Sequence, residues 1–179
     1  MQEENMKEPD LSPEAPWRQR FRATDILSAV VARQNPDRGL VCTNKDGVYQ
    51  LYAWDIPSNE LTQVTHQPVG VMLGIISPDG KYIYYLKDEG GNEIGHYVKV
   101  PFEGGNDEDI SPKLPPYSSY VIFQSWAGNV LGFSAAGENG FNIYIKSNDL
   151  ARVIDFPEPV IPPDGVVRRI KTTTLPVYP

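Results

Sequence analysis

Short hydrophobic runs, separated by polar breaks, follow one another along most of this chain, and none keeps the spacing of an amphipathic helix. From Asp25 onward the runs are rich in β-branched and aromatic residues, and the breaks are rich in Gly, Pro, Asn and Asp. This pattern is typical of short strands joined by tight turns. In residues 81–86 nearly every position is apolar or aromatic, which predicts a strand covered on both faces. The chain is therefore predicted to be all-β: a sandwich, a barrel or a propeller.

The turns repeat, and the repeat favours a propeller. A first turn recurs at residues 35–39, 77–81 and 126–129, and a second at 44–47, 88–92 and 137–140. Pro presets φ and Gly tolerates positive φ, so the Ser-Pro-Asp-Gly sequence at 77–80 predicts a hairpin turn. After each second turn comes a strand with a tyrosine in what looks like an equivalent place, 45 and then 47 residues apart: Tyr52, Tyr97 and Tyr144. A period of about forty to fifty residues indicates four-stranded propeller blades.

The repeat divides the chain into three predicted blades and two flanking segments. The blades span residues 25–68, 69–116 and 117–156. In the second blade we predict strands at 71–77, 82–86, 96–102 and 109–111. Residues 1–24 are predicted to be a flexible leader, because their polar, acidic first part buries little apolar surface. Residues 157–179 are predicted to be a Pro-rich linker or an incomplete next blade.

Three blades cannot close a ring, since known propellers have about four to eight. The expected product is an open β-propeller arc with an uncovered apolar face at each end. Further blades of a larger protein would complete such an arc. Another chain is the alternative, including a second copy that makes a ring of six.

Charge and composition narrow the partners. The 179 residues carry a net charge of −7, which argues against nucleic acid because a phosphate backbone needs a basic surface. The short basic clusters around Arg20 and Arg169 are interpreted as solvated or domain-facing charge. The single cysteine, Cys42, is predicted to be a buried thiol without a disulfide partner. Neither a secretory signal nor a membrane-spanning apolar run is visible, so a cytoplasmic location is expected.

No catalytic apparatus is predicted. Residues 132–137 approach the G-x-S-x-G elbow of α/β-hydrolases, but one residue too many precedes the second glycine, so Ser134 is not expected to be a nucleophile. Only His66 and His96 are available as a base for a triad. Two glycine pairs, at 90–91 and 104–105, are turn glycines, because neither precedes the residues of a phosphate-binding loop.

Two acidic segments are the remaining candidates for chemistry. Residues 106–109 lack the spacing of a calcium loop and are predicted to form a solvated loop. Asp88, Glu89 and Glu93 lie in a turn that would face the propeller mouth, where they would either receive a peptide amino group or serve only the turn and solubility. We predict no catalytic, cofactor-binding or metal-binding residue.

Three segments carry a family likeness: residues 17–22, residues 46–55 and above all residues 76–93, from Ile76 to Glu93. Over about residues 17–150 the chain resembles the N-terminal propeller of bacterial prolyl-oligopeptidase-family serine peptidases, including acylaminoacyl and dipeptidyl peptidases. In that family the propeller covers an α/β-hydrolase domain that bears a Ser-Asp-His triad, and it admits only short peptides.

The resemblance implies a propeller region that is noncatalytic by itself, because no segment of this chain corresponds to the triad. Its expected partners are the missing hydrolase domain, or another chain that completes the propeller, and the peptide substrates of the parent enzyme. The alternative is a protein-binding or scaffolding propeller unrelated to proteolysis. In both cases neither nucleic acid nor a membrane is an expected partner.

Overall fold

The computed structural model describes residues 8–20, 23–137 and 140–147. Within these ranges one short helix, α1 (Pro16–Arg20), precedes a series of antiparallel strands. The predicted all-β architecture is therefore confirmed. The predictions for residues 148–179, which include an outer strand of the third blade and the Pro-rich segment, lie outside the described residues, as do residues 1–7 and the centre of the turn at 137–140.

The strands form three successive units in chain order. Blade one consists of β1 (Ile26–Ala32), β2 (Asn35–Thr43), β3 (Gln50–Asp55) and β4 (Glu60–Gln63). Blade two consists of β5 (Gly74–Ile76), β6 (Tyr82–Asp88), β7 (Ile94–Pro101) and β8 (Glu108–Asp109). The described strands of blade three are β10 (Ile122–Gln124), β11 (Val130–Gly137) and β12 (Gly140–Ser147). A two-residue strand, β9 (Tyr117–Ser118), pairs with both β7 and β11 and so joins blades two and three.

Two hydrophobic cores lie between the blades, which is the packing expected of a propeller. Alternate residues of β6 point to opposite neighbours: Ile83 and Tyr85 pack in the core with blade one, and Tyr84 packs in the core with blade three. This explains why the strand is apolar at nearly every position. The inner strands β1, β5 and β10 lie side by side in that order. The chain thus forms an open arc of three blades.

The first turn of blade one lies before the position that the repeat predicts. Residues 35–39 belong to β2, and the hairpin turn is Arg33–Gln34. Ala32 pairs with Asn35 and Val31 with Gly39, so the three residues between them, including Pro36, form a bulge. A bulge accommodates a proline that lacks a ladder hydrogen bond. The turn-like sequence at residues 35–39 therefore marks a bulge that follows the hairpin turn, and not the turn itself.

The three repeat tyrosines lie in the third strand of each blade, yet they do not share one orientation. Tyr97 packs between blades two and three, together with Tyr144. Tyr97 thus faces the blade that follows its own, whereas Tyr144 faces the blade before it. In β7 it is Val98, in the core with blade one, that faces the preceding blade. A shift of one residue in a strand reverses the face of every side chain, so the true period is nearer 46 than 45 and 47.

The two ends of the arc differ. On blade three, Phe123, Phe141 and Ile143 are exposed on the face away from blade two. On blade one, the cross-strand pair Val41 and Tyr52 points away from blade two and is nevertheless buried. The predicted uncovered apolar face is therefore broad at the third-blade end. At the first-blade end the exposed apolar residues are those of β1.

Candidate functional site

The propeller has two sides along its axis. The side where the three inner strands finish, here called the turn end, carries the hairpin turns that follow these strands. These turns meet one another: the Gln34 backbone N–H donates to the Pro78 carbonyl at 2.8 Å, and the Gln34 side-chain amide donates to the Trp126 carbonyl at 2.9 Å. The Arg33 guanidinium also lies 5.3 Å from the centre of the Trp126 ring. The inner turns of blades one, two and three are therefore fastened together at this end.

The opposite end, here called the entry end, is where the inner strands begin. Each inner strand begins with, or directly follows, a pair of large apolar residues, and the six side chains are between 48 % and 71 % exposed. These six residues, here called the entry rim, are Ile26, Leu27, Met72, Leu73, Tyr120 and Val121. Sequence reasoning missed the entry rim, although the pairs recur at intervals of 46 and 48 residues.

The acidic turn at residues 88–93 also lies at the entry end, since it joins the second and third strands of blade two. The Asp88 carboxylate accepts the backbone N–H of Glu93 at 2.8 Å. This bond holds Glu93 in a left-handed conformation, with φ of 60°. Asp88 therefore has a turn role, while Glu89 and Glu93 extend into solvent.

The acidic run at residues 107–109 is ion-paired, in contrast to the solvated loop that was predicted. Two of its carboxylates pair with lysines of β6 and β7, Asp107 with Lys87 at 2.7 Å and Glu108 with Lys99 at 3.0 Å, and Asp109 lies 2.6 Å from the Nδ1 atom of His96 on β7. The hydrogen bond from Lys87 is the main reason why the pKa of Asp107 lies below its ordinary value. The sequence separation of these partners hid the pairing. Together the three pairs fasten the outer strand β8 to its blade.

His96 is the nearest approach to a catalytic dyad. Its Nδ1 lies 2.6 Å from an Asp109 carboxylate oxygen, and its ring stacks on Tyr117 with centroids 5.5 Å apart. The other ring nitrogen, Nε2, is buried and has no hydrogen-bond partner among the described residues. A triad base must reach a nucleophile through that nitrogen. The arrangement therefore joins β7 to β8 and offers no hydroxyl for activation.

The other predicted candidates are dispersed. Ser134 is buried in β11, and its hydroxyl lies 3.2 Å from the Ser119 hydroxyl. His66 is exposed in the connection between blades one and two. Cys42 is buried as predicted, burial raises the pKa of its thiol, and the thiol donates to the Val71 carbonyl at 3.6 Å. The structure does not bring these three side chains together.

A shallow cavity of about 440 Å³ lies at the turn end between blades one and two. Arg38 dominates it, with one guanidinium nitrogen 2.6 Å from the Glu103 carboxylate and another donating to the Gly80 carbonyl at 3.1 Å. The same guanidinium lies 4.4 Å from the centre of the Phe102 ring. Since Arg38 is already bound on three sides, this cavity is a seam between blades that Arg38 closes.

Metal ligands do not cluster in the part of the chain that the structure describes: no three His, Cys, Asp or Glu side chains converge there. Among the same residues, no helix has the length and apolar character needed to cross a membrane. The entry rim and the acidic turn beside it are surface features that remain for a functional role.

Solved structures resemble this arc, whereas no protein-family model and no curated protein matches the sequence. The putative TolB from Agrobacterium tumefaciens superposes with a TM-score of 0.52 at 21 % identity, over 67 % of this chain and 45 % of that one. An oligogalacturonate lyase in complex with manganese gives 0.54 at 12 % identity, over 70 % and 38 %. The oligogalacturonate lyase of Vibrio parahaemolyticus gives 0.50 at 14 % identity, over 69 % and 37 %.

These neighbours are β-propellers, and at such identities the likeness establishes the fold alone. The chain is a segment of a β-propeller, and it spans less than half the length of each of these structures. The predicted propeller is thus confirmed. The prolyl-oligopeptidase likeness rests on the sequence segments alone.

Proposed function

We propose that this segment belongs to the propeller of a prolyl-oligopeptidase-like serine peptidase, where it covers an α/β-hydrolase domain and limits access to short peptides. The observation that carries the proposal is the sequence run from Ile76 to Glu93. In the fold this run comprises the end of β5, all of β6 and the acidic turn that follows. It is the centre of the middle blade.

Part of that run follows from propeller packing in general. The Ser77 hydroxyl donates to the Asp79 carboxylate at 2.6 Å and shapes the turn, while β6 must be apolar on both faces. The packing does not dictate the exposed turn at residues 88–93. Its Asp-Glu-Gly-Gly-Asn-Glu sequence is therefore the part of the resemblance that carries the most information about family.

The role proposed for these blades is steric. A wall of close-packed blades excludes folded proteins and needs no reactive group of its own. The fastened turns at Gln34, Pro78 and Trp126 stiffen this wall near its axis. The buried Ser134 and the His96–Asp109 pair are consistent with a wall that contributes no chemistry.

The decisive experiment uses the coding region downstream of Pro179. If a hydrolase domain with a G-x-S-x-G elbow follows, the extended protein is expected to cleave aminoacyl or acylaminoacyl p-nitroanilides and short peptides, but not a folded protein. The 179-residue chain alone is expected to cleave none of them. Turnover by the chain alone that a serine-directed inhibitor abolishes would contradict the proposal.

A second arm tests size selection in the extended protein. Ile83 is fully buried between blades one and two, so Ile83→Ala loosens the wall. We expect cleavage of a long, unstructured peptide to rise relative to cleavage of a p-nitroanilide. Ile143→Ala, on the exposed face of blade three, is the matched control. An unchanged ratio in Ile83→Ala, or a downstream region without a hydrolase domain, favours a scaffolding propeller instead.

A further inference from the structure

We infer that the entry rim is the surface through which this segment binds its partner, and that the partner presents an apolar centre bordered by basic side chains. The inference deepens the proposed function and rests on it only in that the propeller covers another domain. It specifies which face of the propeller the partner covers and which types of side chain the partner presents there.

The exposure of the middle pair of the entry rim, Met72 and Leu73, is not a consequence of the open arc. Met72 and Leu73 belong to blade two, which has a neighbouring blade on both sides. They are nevertheless among the most exposed large apolar side chains, with Leu73 at 71 %. Blades added at the ends of the arc would not reach them, because they lie at the start of the middle inner strand. Their cover must approach along the propeller axis.

Exposed apolar surface is concentrated at this end. Three further large apolar side chains around the entry rim are exposed there: Val48 and Val69, in a turn and a connection, and Ile94, at the start of β7. At the turn end, the exposed Val30, Val31 and Phe123 belong to the two terminal blades, and Trp126 is already in contact with Arg33. In blade two, the exposed large apolar side chain at the turn end is the partly exposed Tyr82. Contiguous exposed apolar groups on a soluble protein mark interaction sites. The asymmetry assigns the interaction to the entry end.

The charge around the entry rim is acidic. The second turns of blades one and two carry Asp46, Asp88, Glu89 and Glu93. In and beside these turns, Lys45 lies 3.9 Å from Asp46 and Lys87 lies 2.7 Å from Asp107, whereas the exposed Glu89 and Glu93 form no ion pair among the described residues. Interfaces combine an apolar centre with a polar margin of complementary charge. The margin of the partner is therefore basic.

The segment before β1 also lies at the entry end. The segment before β1 is held against the second turn of blade one, where the Asp25 N–H donates to the Asn44 side chain at 2.7 Å and the Tyr49 hydroxyl donates to the Asp25 carboxylate at 2.8 Å. The chain therefore enters the propeller at the entry end.

The test is a binding titration of the 179-residue chain with a short fluorescent peptide of alternating Leu and Lys. The two variants are Leu73→Lys at the entry rim and Trp126→Lys at the turn end, which change side chains of nearly equal exposure, 71 % and 72 %. Leu73→Lys is expected to weaken binding about tenfold, equivalent to about 1.4 kcal/mol, and Trp126→Lys to leave it unchanged. Circular dichroism verifies that both variants fold.

Two further measurements separate the contribution of charge to peptide binding from the contribution of apolar contact. A peptide of alternating Leu and Glu is expected to bind at least about tenfold more weakly, and added salt is expected to weaken the Leu-Lys peptide. The inference is overturned by equal binding of both peptides, by equal effects of the two substitutions, or by binding to neutral phosphatidylcholine vesicles in place of the peptide. Rim binding without a downstream hydrolase domain would overturn the proposed function alone.

Discussion

Tyr117 shows at the scale of one residue how the blades are joined. Its hydroxyl accepts the backbone N–H of Tyr97 at 2.9 Å and lies 2.8 Å from the Ser111 hydroxyl. Its ring stacks between His96 and Phe133, with both centroid distances at 5.5 Å. Burial raises the pKa of Tyr117 to about 12. One side chain therefore satisfies backbone of blade two and packs against blade three.

Replacing Tyr117 by Phe is expected to destabilise the fold by about 1–3 kcal/mol, because the buried Tyr97 N–H loses its acceptor while the ring packing is kept. The free energy of unfolding from urea titrations measures this loss. Tyr120→Phe, at an exposed position, is the control and should change little. Equal stabilities of the two variants would show that water replaces the lost hydroxyl.

Gly95 is required for steric reasons. A Cβ atom at this position would collide with the backbone of Lys87 and Asp88 on the paired strand. Backbone cannot rotate away as a side chain would, so Gly95→Ala is expected to cost about 1–3 kcal/mol. A Cβ at Gly137 meets no atom within 4 Å, and Gly137→Ala is the control. The melting temperature of Gly95→Ala is expected to be lower than that of Gly137→Ala.

At the scale of the element, the outer strand β8 illustrates what the sequence could not reveal. It is two residues long and would be weak as a strand by itself. Side-chain contacts reinforce its pairing with β7: Glu108 pairs with Lys99, Asp109 lies 2.6 Å from His96 Nδ1, and the preceding Asp107 pairs with Lys87 on β6. A run of acidic residues looks alike in a sequence whether it is solvated or paired, because the partners are chosen by sheet register.

Asp107→Asn is expected to lower stability by about 0.5–1 kcal/mol at pH 7, as one partly exposed ion pair is lost. The folded-state pKa of Asp107 is depressed below the ordinary 3.8. Its stabilising effect is therefore present above that value and is lost as the pH falls through the lowered pKa.

The difference between Asp107→Asn and the unsubstituted chain should thus shrink between pH 7 and pH 3, as measured by urea midpoints. Glu60→Gln, on the exposed part of β4, is the control for removing a carboxylate. A difference that is the same at both pH values would assign the effect to packing and not to charge.

The hairpins were the most predictable elements. The turn at 77–81 was correct because Gly80 adopts a positive φ of 73°, which the Pro-Asp-Gly sequence signals locally. The turn at 35–39 was misplaced because a bulge and a turn use the same residue types. The orientation of Tyr97 was also hidden, since the side of a strand depends on a register that turn spacing fixes only to within one residue.

At the scale of the whole molecule, the exposed face of blade three is expected to make the isolated chain self-associate. Phe141→Lys on this face should weaken association about tenfold, as measured by sedimentation velocity over a concentration series. Leu11→Lys, at a position that is also exposed, is the control. A chain that is monomeric at every concentration would contradict this expectation and would also exclude the six-bladed ring of two copies.

The three blades were predictable because the repeat leaves a local signal in every turn. The apolar pairs of the entry rim could be found in the sequence because they recur. The sequence does not show whether these pairs are exposed or buried. An apolar pair at a strand start is normally taken as core. Only the placement of Met72 and Leu73 at the end of a blade that is packed on both sides distinguishes surface from interior.

The bridge made by Gln34 has a consequence for how the arc folds. In a linear array of repeats each unit contacts only its neighbours, so units can form and melt one after another. Gln34 bonds to Pro78 in the adjacent blade and also to Trp126, 92 residues away. Blade one is thereby linked to blade three as well as to blade two. Folding of the three blades is expected to be cooperative, and slowed by the long loop that must close before this contact forms.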